Sequence, residues 1–116
     1  MKTELEERTK KFAVQIVKAV GGFPKNADGQ IIGRQLLKAG TSIGANYREA
    51  NRAESRVDFV HKIGIAEKEA AETVYWLEIC QETKLGTQEA IDALHKEAGE
   101  LLAILITIGR QTKSSR

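Results

Sequence analysis

Apolar residues recur along this chain at alternating steps of three and four, and that spacing commits it to helices. Leu5, Thr9, Phe12, Ile16, Ala19 and Phe23 fall on one face of a first helix running from about residue 4 to Val20. Gly21, Gly22 and Pro24 stop it. Asn26 or Asp28 can then offer a side-chain oxygen to the free N–H groups opening a second helix. Ile32, Leu36, Ala39, Ile43, Asn46 and Ala50 make the inner face of that helix. Residues 51–54 break the pattern, and Ser55 with Asp58 has the S-x-x-[DE] form of a helix start. Phe59, Ile63, Ala66, Ala70, Thr73, Leu77 and Cys80 carry a third stripe as far as "TKLG". Thr87 is placed to cap a fourth helix, on which Ile91, Leu94, Ala98, Leu101, Leu105 and Ile108 face one way. No segment alternates with the period of a strand. Four amphipathic helices joined by short loops predict an all-α, antiparallel up-down-up-down four-helix bundle. At 116 residues the chain is one domain, 1–116, long enough for a core and too short for two.

Composition narrows the setting. Cys80 is the lone cysteine, so no internal disulfide is possible and a reducing, cytoplasmic location is expected. The N-terminus "MKTELEERTKK" is charged, with no apolar leader behind it. The most apolar run, Leu101 to Gly109, is about half of the roughly 20 residues a bilayer requires, so a soluble protein without membrane contact is expected. The net charge of +2 hides an asymmetry. Residues 25–62 hold seven basic and four acidic groups, residues 67–100 hold three and nine, and residues 101–116 are basic only.

The second helix contains "TSIGANYREANRAES", which is rich in small and polar residues for a helix with an apolar stripe. Antiparallel packing about a turn near residue 53 sets Asn46 level with His61 and Lys62, Lys38 with Glu69, and Gln35 with Glu72. Such half-buried polar groups need partners, since an unsatisfied one costs about 1–3 kcal/mol. We therefore expect Ser42, Asn46, Glu49, Glu69, Glu72 and Trp76 to be structural or interface residues, with Glu69 and Glu72 in a salt-bridge network rather than an acid–base pair. Gly40, Ser42, Gly44 and Ala45 leave room for close approach, by a neighbouring helix of the same bundle or by another subunit. The fourth helix adds Leu102, Ile104 and Ile106 off its main stripe and shows Gly99, Ala103 and Thr107 on the opposite side. A helix apolar on more than one side is covered by more than its own bundle, so self-association is expected.

Catalytic and metal signatures are weak. Asp58/His61 and Asp92/His95 have carboxylate-x-x-His spacing, but they open different helices at opposite ends of the bundle, roughly 30 Å apart. They cannot share a metal within one subunit. Cys80 lies on an apolar stripe, where a core role outweighs a nucleophilic one. The glycines at 21–22 follow no strand and make no phosphate loop. We expect no enzyme, no metal and no cofactor.

The segment "SIGANYREANRAESRVDFVHKIGIAEKEAAETVYWLEI" resembles the central signature of the 23S rRNA intervening-sequence, or "four helix bundle", proteins. The resemblance rests on Ser42, Asn46, Glu49 and Ala50, and on Ser55, Asp58, Phe59, Lys62, Glu69, Glu72, Trp76 and Leu77. It extends to the accessory variability protein of diversity-generating retroelements. It implies an antiparallel bundle assembled into a ring-like homopentamer. For the retroelement branch it implies a non-catalytic partner of nucleic acid and of a reverse transcriptase.

Bundle topology adds a feature of its own. The N-terminus, the turn between helices two and three, and the C-terminus gather at one end. That end collects Lys2, Arg8, Arg48, Arg52, Arg56, Arg110, Lys113 and Arg116, with Glu4, Glu6, Glu7, Glu49 and Glu54 nearby to neutralise them. Arg48, Arg52, Arg56, Arg110 and Lys113 are the expected contacts to RNA or DNA phosphates. No aromatic residues interleave with them to stack on bases, so sequence-specific reading of single strands is not expected. The expected function is an oligomeric, non-catalytic scaffold or accessory protein with a nucleic-acid-binding end. The alternative is a homo-oligomeric adaptor that contacts only other proteins.

Overall fold

The computed structural model describes residues 2–114, which form four α-helices: α1 (Lys2–Gly21), α2 (Ala27–Asn51), α3 (Arg56–Thr83) and α4 (Gln88–Ser114). No strand occurs among the described residues. Each helix packs on the next and α1 closes against α4, with no diagonal contact among the described residues, so the four axes stand at the corners of a square. The molecule measures 49 × 22 × 19 Å. This is the antiparallel four-helix bundle that the stripes predict.

Local chemistry sets the helix ends. Asn26 is the cap of α2, its Oδ1 accepting the Gly29 N–H at 2.8 Å. Ser55 caps α3, its hydroxyl oxygen accepting the Asp58 N–H at 3.1 Å. Lys84 takes a left-handed conformation at φ 58° and ends α3 as its N–H returns to the Cys80 carbonyl. Gly86 follows at φ 82°, with the Phe23 ring 2.7 Å from where a Cβ would sit. Backbone and space both require glycine there. Thr87 accepts the Ile91 N–H through its backbone carbonyl and makes no side-chain cap bond among the described residues. The neighbouring Gln88 amide instead donates to the carbonyls of Cys80, Leu85 and Gly86 at 3.2–3.4 Å, fastening the α3–α4 turn.

The core follows the stripes. Phe12, Ile16, Leu36, Ile43, Leu77 and Leu101 are fully enclosed. Among the described residues the buried polar side chains of Thr9 and Thr73 return their hydroxyls to the carbonyls of Leu5 and Glu69, one turn back on their own helices. Cys80 is buried, and desolvation pushes its thiol up to about 11. It is a core residue.

Gly40 and Gly44 lie on the α1 side of α2. A Cβ on Gly40 would meet Ile16 Cγ1 at 2.9 Å, and one on Gly44 would meet Thr9 Oγ1 at 2.9 Å. Of the two occupants open to the glycines, the neighbouring helix of the same bundle is the one present. The side chains of α1 fill the space.

Candidate nucleic-acid interface

The end of the bundle where α1 and α3 begin and α2 and α4 finish is built as the topology predicts. Glu6 accepts from Asn51 at 2.9 Å, Arg48 stands 3.7 Å from Glu7, and Lys62 pairs with Glu49 at 2.9 Å. Arg56, Val57, Val60 and Lys113 line one open notch of about 510 Å³. Arg52 sits at the C-cap of α2, one turn beyond Arg48.

The cations at this end divide into two groups. Arg8 belongs elsewhere. Its guanidinium grips Glu97 with two hydrogen bonds of 2.7 Å and reaches Glu100 at 2.8 Å, which raises its pKa and ties α1 to α4. Arg48 is drawn towards Glu7. Arg52, Arg56, Arg110 and Lys113 are exposed and form no ion pair among the described residues. Of the nearby acids, Glu6, Glu7 and Glu49 have partners and Glu4 is also engaged, while Glu54, between Arg52 and Arg56 in the chain, is exposed and forms no ion pair among the described residues. Arg116 lies outside the described residues. Four free cations on one rim are a surface suited to polyanions.

Fewer of the half-buried polar groups of α2 and α3 meet across the helices than their levels suggest. Asn46 donates 2.8 Å to the Ser42 carbonyl on its own helix, and Ser42 donates 2.6 Å to Lys38. Both side chains are short, and the carbonyl one turn back lies within their reach. Lys62 accordingly bonds Glu49 rather than Asn46, which raises the Lys62 pKa. Glu69 is half-buried, and Lys38 lies near enough to favour its charge. Yet neither Glu69 nor Glu72 forms an ion pair among the described residues, so the expected salt-bridge network is not closed. Desolvation, followed by the charge of Glu72, pushes the Glu69 carboxyl above its ordinary range. Trp76 is half-buried and meets the edge of Tyr75, ring centroids 5.0 Å apart and planes 76° apart.

Two further features bear on chemistry. Where α1 and α4 part near the far end, a groove of about 420 Å³ is lined by Ala19, Gly22, Ala90, Ile91, Ala93 and Leu94, with Gln15, Lys18 and Thr87 at its polar positions. It contains no carboxylate, thiol or imidazole. Among the described residues no three His, Cys, Asp or Glu side chains gather as a metal site. Asp92 accepts from Gln81 at 2.9 Å, and His95 lies 3.3 Å from Glu78. No helix among the described residues is long and apolar enough to cross a membrane.

The Arg8–Glu97–Glu100 clamp and the notch where Lys113 of α4 meets Val57 and Val60 of α3 escape a reading of single helices, because each joins residues far apart in the chain. The spacing of Glu97 and Glu100 on one face of α4, level with Arg8, is the one signal that could have exposed the clamp.

Fold and site together define an antiparallel four-helix bundle with one end rimmed by cations, of which Arg52, Arg56, Arg110 and Lys113 form no ion pair among the described residues. The chain belongs to the 23S rRNA-intervening sequence protein family, whose profile matches residues 1–107. It is also similar to a solved protein of unknown function from the S23 ribosomal protein family of Bacteroides thetaiotaomicron VPI-5482. The two share 39% identity over 90% of this chain and 96% of that one, with a TM-score of 0.83. A comparison with proteins of curated function finds no match.

Proposed function

We propose that the protein is a non-catalytic, self-associating scaffold, a homopentamer by its family resemblance, that binds RNA or DNA backbones through the cation-rimmed end of the bundle. The observation that carries this reading is the set Arg52, Arg56, Arg110 and Lys113, exposed and without ion pairs among the described residues. Arg48 stands behind them, shared with Glu7. Each phosphate neutralised by such a group releases condensed counterions, so binding falls steeply as salt rises and ignores sequence. Assembly would repeat the same rim on every subunit and multiply the phosphate contacts. A reverse transcriptase is a further partner class to test.

Filter binding at low salt tests the proposal. Duplex DNA and structured RNA are expected to bind with a strong salt dependence, and Arg52→Ala/Arg56→Ala/Lys113→Ala to abolish retention. Absence of binding, or binding that ignores the triple substitution, would overturn it. The second reading, an adaptor that touches only proteins, draws on the exposed Val57 and Tyr75. It would stand if self-association persisted while nucleic-acid binding failed.

A further inference from the structure

The four seams of the bundle are not equally closed. α1 and α4 are the most loosely joined of the adjacent pairs. Far from the arginine rim their seam opens into the groove of about 420 Å³. The sequence explains the opening. Ala19 and Gly22 on one bank and Ala90 and Ala93 on the other present at most a methyl group, too little to fill the seam. Ile91 and Leu94 also line the groove although they are 0% and 5% exposed, so it reaches down to side chains of the core.

Small-molecule sites usually occupy about 300–1,000 Å³ and combine apolar walls with a few polar groups that orient the ligand. Here those groups are Lys18, Gln15 and Thr87. Lys18 is exposed and forms no ion pair or hydrogen bond among the described residues. Its own helix offers it no acid, because the positions three and four residues away are Val14, Gln15, Gly21 and Gly22. On the facing part of α4, Asp92 accepts from Gln81 of α3 and Glu97 is held by Arg8. Glu89 is exposed and does not line the groove. The lining thus carries one positive charge and no negative one. The Gln15 amide and the Thr87 hydroxyl also form no hydrogen bond among the described residues. The apolar stretch is short. From Gln15 to Gly22 the chain rises roughly 10 Å along the axis. On the other side of Gln15 the seam turns charged, lined by Arg8, Lys11 and Glu97 around Phe12.

We propose that this groove binds a small amphiphilic anion, a medium-chain fatty carboxylate. Its alkyl chain lies against Ile91 and Leu94 between the alanines, and its carboxylate meets Lys18. Charge complementarity selects the head, since an anion answers the one unpaired charge of the lining and a cation would be repelled by it. The short apolar stretch selects the chain, because a longer one would run into the charged part of the seam. The site lies away from the arginine rim and does not depend on the nucleic-acid reading.

Calorimetry and amide NMR on the full chain, with octanoate as the probe, test this. Octanoate is expected to bind saturably, one per subunit, with the negative heat-capacity change of apolar burial. Amide shifts should move at residues 15–22 and 87–94. Octanol has the chain without the charge and should bind more weakly; acetate has the charge without the chain and should not bind. Lys18→Gln should weaken octanoate by about twofold to fivefold, the factor expected of one exposed charge pair, and leave octanol unchanged. Ala90→Leu/Ala93→Leu fills the groove from exposed positions and should abolish binding while helicity by circular dichroism is kept. Absent or non-saturable binding, shifts elsewhere, or binding that survives the double substitution would overturn the site. Octanoate affinity unchanged by Lys18→Gln would overturn the anionic head.

Discussion

Gly40→Ala tests whether the small residues of α2 serve the interior of the subunit. Alanine in a helix interior is favoured over glycine by about 1 kcal/mol, so an unobstructed site would gain that much. At Gly40 the new methyl would lie 2.9 Å from Ile16 Cγ1 and 3.0 Å from Cγ2, on a side chain that is itself fully buried. Forcing a methyl into a packed core costs about 1–3 kcal/mol. The net expectation is a loss of up to about 2 kcal/mol by urea denaturation. Ile16→Ala removes both obstructing carbons at a cost of about 2–5 kcal/mol. In that background Gly40→Ala should reverse sign and stabilise by about 1 kcal/mol or more, since the methyl enters vacated space. The cycle should thus report a coupling of about 1–3 kcal/mol. A gain of about 1 kcal/mol in both backgrounds, with no coupling, would refute the close α1–α2 approach.

Two further outcomes follow from the charges. Glu69 has its folded pKa raised by burial and by Glu72, so ionising it opposes folding. Between the unfolded and folded pKa the native state holds more protons, and stability falls as pH rises through that window. Glu69→Gln should therefore raise Tm at pH 7 and lose its advantage below the carboxylate range, as thermal melts across pH will show. An advantage that persists at low pH would assign the effect to packing. Arg8→Met removes the clamp on the α1–α4 seam; with 37% of the Arg8 side chain exposed, the loss should be about 1 kcal/mol or less. Hydrogen exchange should quicken in α1 more than in α3, and uniform quickening would deny the clamp its local role.

What could be read from the chain was what neighbours in sequence decide. The four stripes, the Asn26 and Ser55 caps and the end of α3 near "TKLG" depend on side chains within a turn or two, and they appear where spacing put them. Topology, set by short loops, was enough to bring the arginines to one end. Thr87 shows where local reading stops. It sits at the start of α4, but the turn is fastened by the Gln88 amide reaching back to α3.

The candidate site was legible in its location and not in its wiring. Arg8 was one cation among several until folding set Glu97 and Glu100, some 90 positions away, against it. Asn46 was level with charges on α3, yet it bonds to its own helix because a short side chain finds a carbonyl nearer than the next helix. The sequence by itself determined that there would be four helices, which faces would be apolar and where the charges would cluster, since these depend on a period of 3.6 residues and on capping. Only the tertiary structure decided which small residues are filled by the subunit's own side chains and which remain open. Helix periodicity specifies a direction around each axis, and the occupant of that direction is set by packing between segments far apart in the chain.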